Sequence, residues 1–382
     1  MSESTLEMCG LPAVCLPEEP VADWLLTWAG SALDGMVMQA MRRVIDATLM
    51  PAPAELPALR ASAAAFVGGD LETEPRRFFA FVDAPPAPLS GTARHRRSIS
   101  GGTIVSRRFA TGYTPYCAPG ARPEERPPAA AADALRVEHW MHEPGRGRAT
   151  VVAVHGFSMG YPRIDAVALF AAPCFRAGYD IALVTLPFHG ARTPPEARFS
   201  GEWFAVPHVA RLNEAARQAV YELYALTTWL RAQSGAPVGL LGLSLGGYLS
   251  ALMAGLTASL DFVIPMVPPV CFGDLAWRFF SHSRYHRDAT AAFSHAELRR
   301  IYRVHSPLTY PPRVEKRRLL ILAGRGDQIV PPEHPHALWR HWGEPEIYWF
   351  SGSHLAPFRR GRLLARILEH LEDTVSSGSD IA

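Results

Sequence analysis

Lysine is almost missing from this chain: Lys316 stands alone among 382 residues, and arginine carries nearly all of the positive charge. That is a trait of composition and points to no function. With 38 basic residues against 36 acidic ones, the net charge of +2 is close to neutral. Nothing in that balance asks for a nucleic-acid partner, and the clusters Arg94-His95-Arg96-Arg97 and Arg107-Arg108 read as solvated strand edges. Cysteine is scarce as well. Cys9, Cys15, Cys117, Cys174 and Cys271 are odd in number, scattered and without a Cys-x-x-Cys pair, so neither a disulfide framework nor a zinc site is expected. No apolar run is long enough to span a bilayer. The start carries Glu3, Glu7, Glu18 and Glu19 and no basic stretch before an apolar core, so a secretory signal is not expected and a soluble cytoplasmic protein is the default reading.

What is present is ample material for a core: hydrophobic residues make up 48% and charged residues 19% of the chain. One α/β core with added helices accommodates this length. Val21 to Leu49 reads as one amphipathic helix, with Leu25, Trp28, Ala29, Leu33, Met36, Val37, Ala40, Met41, Val44 and Ile45 spaced by three and four. Asp23, Asp34, Gln39, Arg42, Arg43 and Asp46 fill the other face. The apolar, Met-rich stripe is expected to pack on the body of the protein, in preference to a membrane surface or a partner. The Pro51–Pro57 run ends this helix. A shorter helix follows from about Ala58 to Val67 and stops at Gly68-Gly69. Residues 1–95 are thus expected to be a helical N-terminal extension, not an independent domain, with the main domain spanning 96–382.

Strand patterns occupy Thr103–Phe109 and Leu135–Met141, separated by an exposed loop over Ala118–Ala132. Continuous apolar runs at Ala149–Val154, Asp180–Leu186, Val238–Leu241, Phe262–Val267, Arg318–Ala323 and Glu346–Phe350 suit strands buried on both faces. Helical spacing intervenes at Ile164–Ala177, Leu212–Leu230 and Tyr248–Leu256, and a last helix is placed at Leu363–Leu371. Such alternation predicts an α/β fold, a mostly parallel sheet with helices on both faces. Residues 270–312 form an insertion with helices at Leu275–Tyr285 and His295–Tyr302, the second opened by a Ser294…Glu297 capping box. Residues 376–382 read as a disordered tail.

The apolar run Val238–Leu241 leads into Gly242-Leu243-Ser244-Leu245-Gly246 and directly on into a helix. A serine at the tip of such a strand-turn-helix is held in a strained conformation, and side chains at the flanking glycines would collide with the neighbouring strand and helix. Gly156-Phe157-Ser158-Met159-Gly160 has the same spacing, so Ser158 is the competing serine. The chain here resembles the α/β-hydrolase family, whose nucleophile elbow reads Gly-x-Ser-x-Gly. In that family an oxyanion loop reading His-Gly follows an early strand and the elbow comes about two strands later, which His155-Gly156 and Gly242–Gly246 match. The resemblance covers about residues 98–372, and it makes Ser244 the nucleophile.

A serine hydroxyl needs a base as it attacks, and a histidine suits neutral pH. Among 15 histidines, His354 stands in Gly352-Ser353-His354 directly after the last strand, where the family carries its histidine; His189, His334 and His336 are the alternatives. The histidine needs a carboxylate to hold its ring. Asp327, in the turn before Val330-Pro331, matches the family's aspartate, with Asp274 and Glu333 as alternatives. The resemblance also implies an oxyanion hole from the backbone amides of Phe157 and Leu245, although Phe157 also suits a core position. The insertion takes the place of the family's lid, where Trp277, Phe279, Phe280 and Tyr285 would suit an apolar acyl group. His282, His286, His295 and His305 lack the spacing of a metal site. The expectation is a serine hydrolase of carboxylic esters or thioesters acting on a small-molecule acyl substrate without a cofactor. Peptidase, amidase or acyltransferase activity on the same residues, or a non-catalytic scaffold, are the other readings.

Overall fold

The computed structural model describes residues 11–12, 14–48, 54, 56–67, 70–87, 89–116, 134–204, 209–280 and 293–376. Among these, nine strands form one sheet in the order β1-β2-β3-β5-β4-β6-β7-β8-β9. They are β1 (Ser90–Ile99), β2 (Gly102–Ala110), β3 (Leu135–His142), β4 (Thr150–Val154), β5 (Asp180–Thr185), β6 (Val238–Leu243), β7 (Val263–Met266), β8 (Leu320–Gly324) and β9 (Glu346–Phe350). The steps from β1 through β2 and β3 to β5 are antiparallel, and every pairing from β5 to β9 is parallel. The central strands are apolar throughout because both faces are covered: Val152 and Val154 of β4 enter one hydrophobic cluster, and Val151 and Ala153 enter the other.

Helices α1 (Val21–Thr48), α2 (Leu56–Ala64) and α3 (Asp70–Thr73) precede the sheet, followed by a 3-10 segment at Pro75–Asp83 whose Phe78 and Phe79 are fully buried. This stretch is part of the main core. Arg217 donates through Nε to the Phe78 carbonyl at 2.7 Å, and its guanidinium also lies over the rings of Phe78 and Phe81. The boundary expected at residue 95 falls inside β1. The solvated strand edge read at Arg94–Arg97 belongs to this strand, whose full extent is not legible because its residues are nearly all exposed at the sheet edge and show no apolar alternation.

Helices α4 (Pro162–Ala168) and α5 (Ala171–Arg176) replace the single helix expected over Ile164–Ala177, the break lying at Phe170 with φ of 55°. Then come α6 (Val209–Ser234), α7 (Leu245–Leu256), α8 (Phe272–Phe280), α9 (His295–Tyr302), α10 (Glu333–His341) and α11 (Arg360–Ser376). The capping box at Ser294 is formed in both directions. Several expectations lie outside the described residues: the exposed loop over Ala118–Ala132, the continuation of α8 to Tyr285 with His282 and His286, Cys9, Cys117, the Gly68-Gly69 stop and the tail from 377. No described helix is long and apolar enough to cross a membrane.

Helix α6 buries its expected apolar face, and it also buries Asn213, Gln218 and Glu222. Glu222 takes a forked pair of hydrogen bonds at 2.6 and 2.7 Å from Arg192, which also donates to the Thr185 carbonyl at 2.9 Å and so fixes the turn after β5. Both side chains are within 3% of full burial. Glu222→Ala leaves the guanidinium without its counter-charge and is expected to destabilise the fold by about 3–5 kcal/mol, read by urea unfolding at neutral pH. Glu222→Gln should fall between that variant and the native chain.

The orientation of α1 corrects the sequence expectation. Its apolar stripe faces outward, with Trp24, Leu25, Trp28 and Met36 all more than half exposed, while Asp23, Asp34 and Met38 are buried. The reason lies in what the helix covers. The turns after β8 and β9 present backbone amides and a hydroxyl, and α1 supplies their acceptors. Each donor buried without a partner costs about 1–3 kcal/mol. Several of them together outweigh the gain of about 1.5–3 kcal/mol from turning one more large apolar side chain inward.

Candidate active site

The elbow forms as a sharp reversal. Strand β6 ends at Leu243, α7 begins at Leu245, and Ser244 between them holds φ of 53° and ψ of −112°. A non-glycine residue at positive φ carries strain of about 1–3 kcal/mol, which the surroundings must hold in place. Two contacts do so: the Ser244 amide donates to the Met266 carbonyl and the Tyr248 amide to the Ser244 carbonyl, both at 2.8 Å. The glycines are sterically required. A Cβ on Gly246 would stand 2.0 Å from the Val154 carbonyl oxygen of β4, and one on Gly242 would stand 2.1 Å from the Gly246 carbonyl oxygen of the helix.

The turns after β8 and β9 bring Asp327 and His354 to this serine. His354 Nε2 lies 2.9 Å from Ser244 Oγ, and its Nδ1 lies 2.7 Å from Asp327 Oδ2. With Nδ1 donating to the carboxylate, Nε2 is left as the acceptor for the serine proton. The other Asp327 oxygen receives the amides of Ile329 at 2.9 Å and Val330 at 2.7 Å, so this carboxylate also caps its own turn. The turns are tied to each other by the Gly326 amide on the Gly352 carbonyl at 2.8 Å. Burial works against a charged imidazole at His354, but the Asp327 charge and hydrogen bond, joined by the charge of Asp34, outweigh it and raise its pKa above 6.5. Burial pushes the Asp327 carboxyl up, against the opposing pull of His354 and the Val330 amide.

The loop after β4 flanks the serine on its other side. A Cβ on Gly156 would stand 3.5 Å from the Ser244 Cβ. His155 is fully buried and locked as a neutral ring: Nδ1 donates to the Gly156 carbonyl at 2.8 Å, and Nε2 accepts the Leu186 amide at 3.1 Å. Burial lowers its pKa to about 4. The histidine of the His-Gly pair therefore staples this loop to the end of β5. Leu245 supplies the first amide of α7, and the first amides of a helix have no partner within it. Phe157 is half-buried, its ring edge-on to His189 and Phe199.

The competing residues take no part in this hydrogen-bonded run. Ser158 is exposed at φ of 61°, with no histidine bonded to it among the described residues. His189 is buried, with Nδ1 donating to the Pro187 carbonyl at 2.8 Å, and burial holds its pKa well below 6.5. His334 accepts the Val270 amide at 3.1 Å through Nδ1 and is lowered by burial to about 4; His336 tilts against Trp339. Asp274 pairs with His295 at 2.6 Å, with Trp277 stacked on that histidine, and Glu333 opens α10. His305 is buried between Tyr248 Oη and Asn213 Oδ1. Among the described residues no group of three or more His, Cys, Asp or Glu is placed to hold a metal ion.

Sequence reasoning missed Asp34, which it assigned to a polar helix face. The carboxylate is fully buried between the two turns. Oδ1 accepts the Ser353 hydroxyl at 2.8 Å and the Leu355 amide at 3.1 Å, while Oδ2 accepts the His354 amide at 2.9 Å and the Gln328 amide at 3.1 Å. Its neighbours on α1 act alike: Thr27 Oγ1 accepts the Gly352 amide at 3.1 Å, and Ser31 Oγ donates to the Gly326 carbonyl at 2.7 Å. The signal in the sequence was the run of small and acidic residues on one face, Asp23, Thr27, Gly30, Ser31 and Asp34.

A family model described as Serine hydrolase (FSH1) matches residues 200–363, a span that contains Ser244, Asp327 and His354. Two relatives from Mycobacterium tuberculosis, the uncharacterized proteins MT2702 (strain CDC 1551 / Oshkosh) and Rv2627c (strain ATCC 25618 / H37Rv), are each 32% identical over 293 residues, or 75% of this chain and 67% of theirs. Acetyl xylan esterase 1 of Thermoanaerobacterium sp. JW/SL YS485 superposes with a TM-score of 0.55 at 15% identity, and the acetyl xylan esterase of Paenibacillus sp. R4 with 0.57 at 13%, each over 84% of this chain and 99% of its own. At such identities the likeness is one of fold. The chain has the α/β-hydrolase fold and belongs to one family with the two mycobacterial proteins.

Proposed function

We propose that the chain hydrolyses a carboxylic ester, a thioester being within the same chemistry, through an acyl-enzyme on Ser244. The reading rests on one observation, the hydrogen-bonded run from Ser244 Oγ through the His354 ring to Asp327. Ser244 Oγ attacks the acyl carbon as His354 Nε2 takes its proton, and the same nitrogen returns that proton to the departing alkoxide. Water, deprotonated by His354, then releases the acid. Asp327 holds the ring in the tautomer that leaves Nε2 free and stabilises the imidazolium. The amides of Phe157 and Leu245 face the oxyanion in this scheme; two such donors supply several kcal/mol in enzymes of this kind. Residues 270–312 serve as the lid. Its helix α8 reaches the acid's turn through Arg278 Nη2, which donates to the Gln328 carbonyl at 3.2 Å. In this scheme the helical extension over residues 1–95 forms one catalytic unit with residues 96–382, since Phe78 and Phe79 lie in the shared core and β1 crosses the boundary.

The test is turnover of p-nitrophenyl esters from acetyl to dodecanoyl, beside the matching anilides. Hydrolysis of esters with no hydrolysis of anilides supports the proposal, and the reverse order of rates makes the protein an amidase. The pH dependence carries a sign. His354 must be neutral to accept the serine proton, and its pKa lies above 6.5. The acid limb of kcat/KM is therefore expected on the alkaline side of an ordinary histidine, with activity lost as pH falls through it. A limb below 6.5 would contradict the assignment.

A further inference from the structure

We infer that Asp34 of α1 is a positioning residue for this site: its carboxylate holds the backbone of the His354 turn and of the Asp327 turn in register, so that the N-terminal helix completes the triad. The inference rests on the hydrolase reading above and deepens it. Two carboxylate oxygens take four donors, three from residues 353–355 and one from Gln328, the residue after Asp327. A carboxylate is the side chain suited to that task, since it presents only acceptors on both oxygens.

The close fit of the helix supports the same role. A Cβ on Gly30 would stand 3.0 Å from the Ser353 amide nitrogen, and one on Gly326 would stand 2.3 Å from Ser31 Oγ. Asp23 anchors the start of α1 to Arg359, just beyond the histidine turn. Arg325, within the acid's turn, donates to the Pro17 carbonyl at 2.6 Å and lies 3.8 Å from Glu19. Among the described residues no cation is paired with Asp34. The charges acting on His354 are thus Asp327 from the turn after β8 and Asp34 from α1, with the neutral Ser244 facing Nε2. Asp34 accordingly serves in two ways: it fixes where the imidazole stands, and it adds negative charge behind it.

Replacing Asp34 by asparagine keeps the shape but turns one oxygen into a donor, which then opposes two of the four groups it faced. The experiment uses the full-length protein, native and Asp34→Asn, with two readouts. One is the titration of the His354 imidazole by nuclear magnetic resonance; the other is the rate at which a fluorophosphonate labels Ser244. Asp34→Asn is expected to move the imidazole titration to lower pH and to slow labelling by about 10²-fold, the cost of a small misplacement at a reacting centre. Asp34→Glu, which retains the charge, should restore the titration and only part of the rate.

An unchanged titration and rate in Asp34→Asn overturn the inference. If the native protein takes no label while the titration still moves, Asp34 has the place assigned to it and the hydrolase reading is what fails. Should Asp34→Asn not fold, Ser353→Ala removes one of the four donors; labelling several-fold slower in a chain of native circular dichroism supports the inference, and a native rate overturns it.

Discussion

Ser244→Ala is expected to lower kcat by about 10⁶-fold, the loss seen when the nucleophile is removed from a Ser-His-Asp hydrolase, with unfolding unchanged. The fold should tolerate the change because the Ser244 side chain caps no helix amide, and among the described residues its hydrogen bond is the one to His354. Alanine inherits the positive φ and the strain that goes with it, so the elbow retains its shape. Turnover of whichever ester the native chain hydrolyses fastest gives the number, and a thermal melt of the same preparation shows that the fold is intact. Ser158→Ala serves as the control. That residue is exposed and, among the described residues, bonded to no base, so this variant is expected to retain native turnover.

Asp327→Asn is expected to lower kcat by about 10⁴-fold, for a reason visible in the hydrogen bonds. The oxygen that receives the Ile329 and Val330 amides can be retained by asparagine, so the turn keeps its cap. The other position then presents an N–H to His354 Nδ1. The ring answers by placing its own proton on Nε2, where it opposes the serine proton it should accept. The variant should bind substrate with little change in KM and turn it over slowly, and a stopped assay comparing kcat with KM separates that from general loosening. Loss confined to KM would place Asp327 in binding and not in the support of His354.

Much of this architecture was legible in the chain. Val151–Val154 and Val238–Leu241 are apolar without alternation, which only a strand covered on both faces requires, and the Gly-x-Ser-x-Gly spacing reports a helix start packed against β4. The order of Ser244, Asp327 and His354 along the chain followed from the family resemblance, and the structure places these three side chains in one hydrogen-bonded run.

What escaped reading has physical causes. The full extent of β1 is one case, since at this solvated edge Arg94, Arg96 and Arg97 carry no apolar periodicity. The break at Phe170 depends on a left-handed conformation that its residue type does not announce. Helix α1 was read by its apolar stripe, as amphipathic helices usually are, yet its docking is decided by hydrogen bonds from two turns that lie some 300 residues away along the chain. Local sequence holds no record of partners that distant. Asp34 looked like any solvated aspartate for that reason.

The most direct test of the account is covalent labelling of the purified full-length chain with a fluorophosphonate, followed by peptide mapping. Such a probe reacts with a serine whose hydroxyl is activated by a neighbouring base. The account predicts a single label on Ser244, gained more slowly as pH falls through the His354 limb and absent from Ser244→Ala. A folded protein that takes no label, or carries it on Ser158, would contradict it.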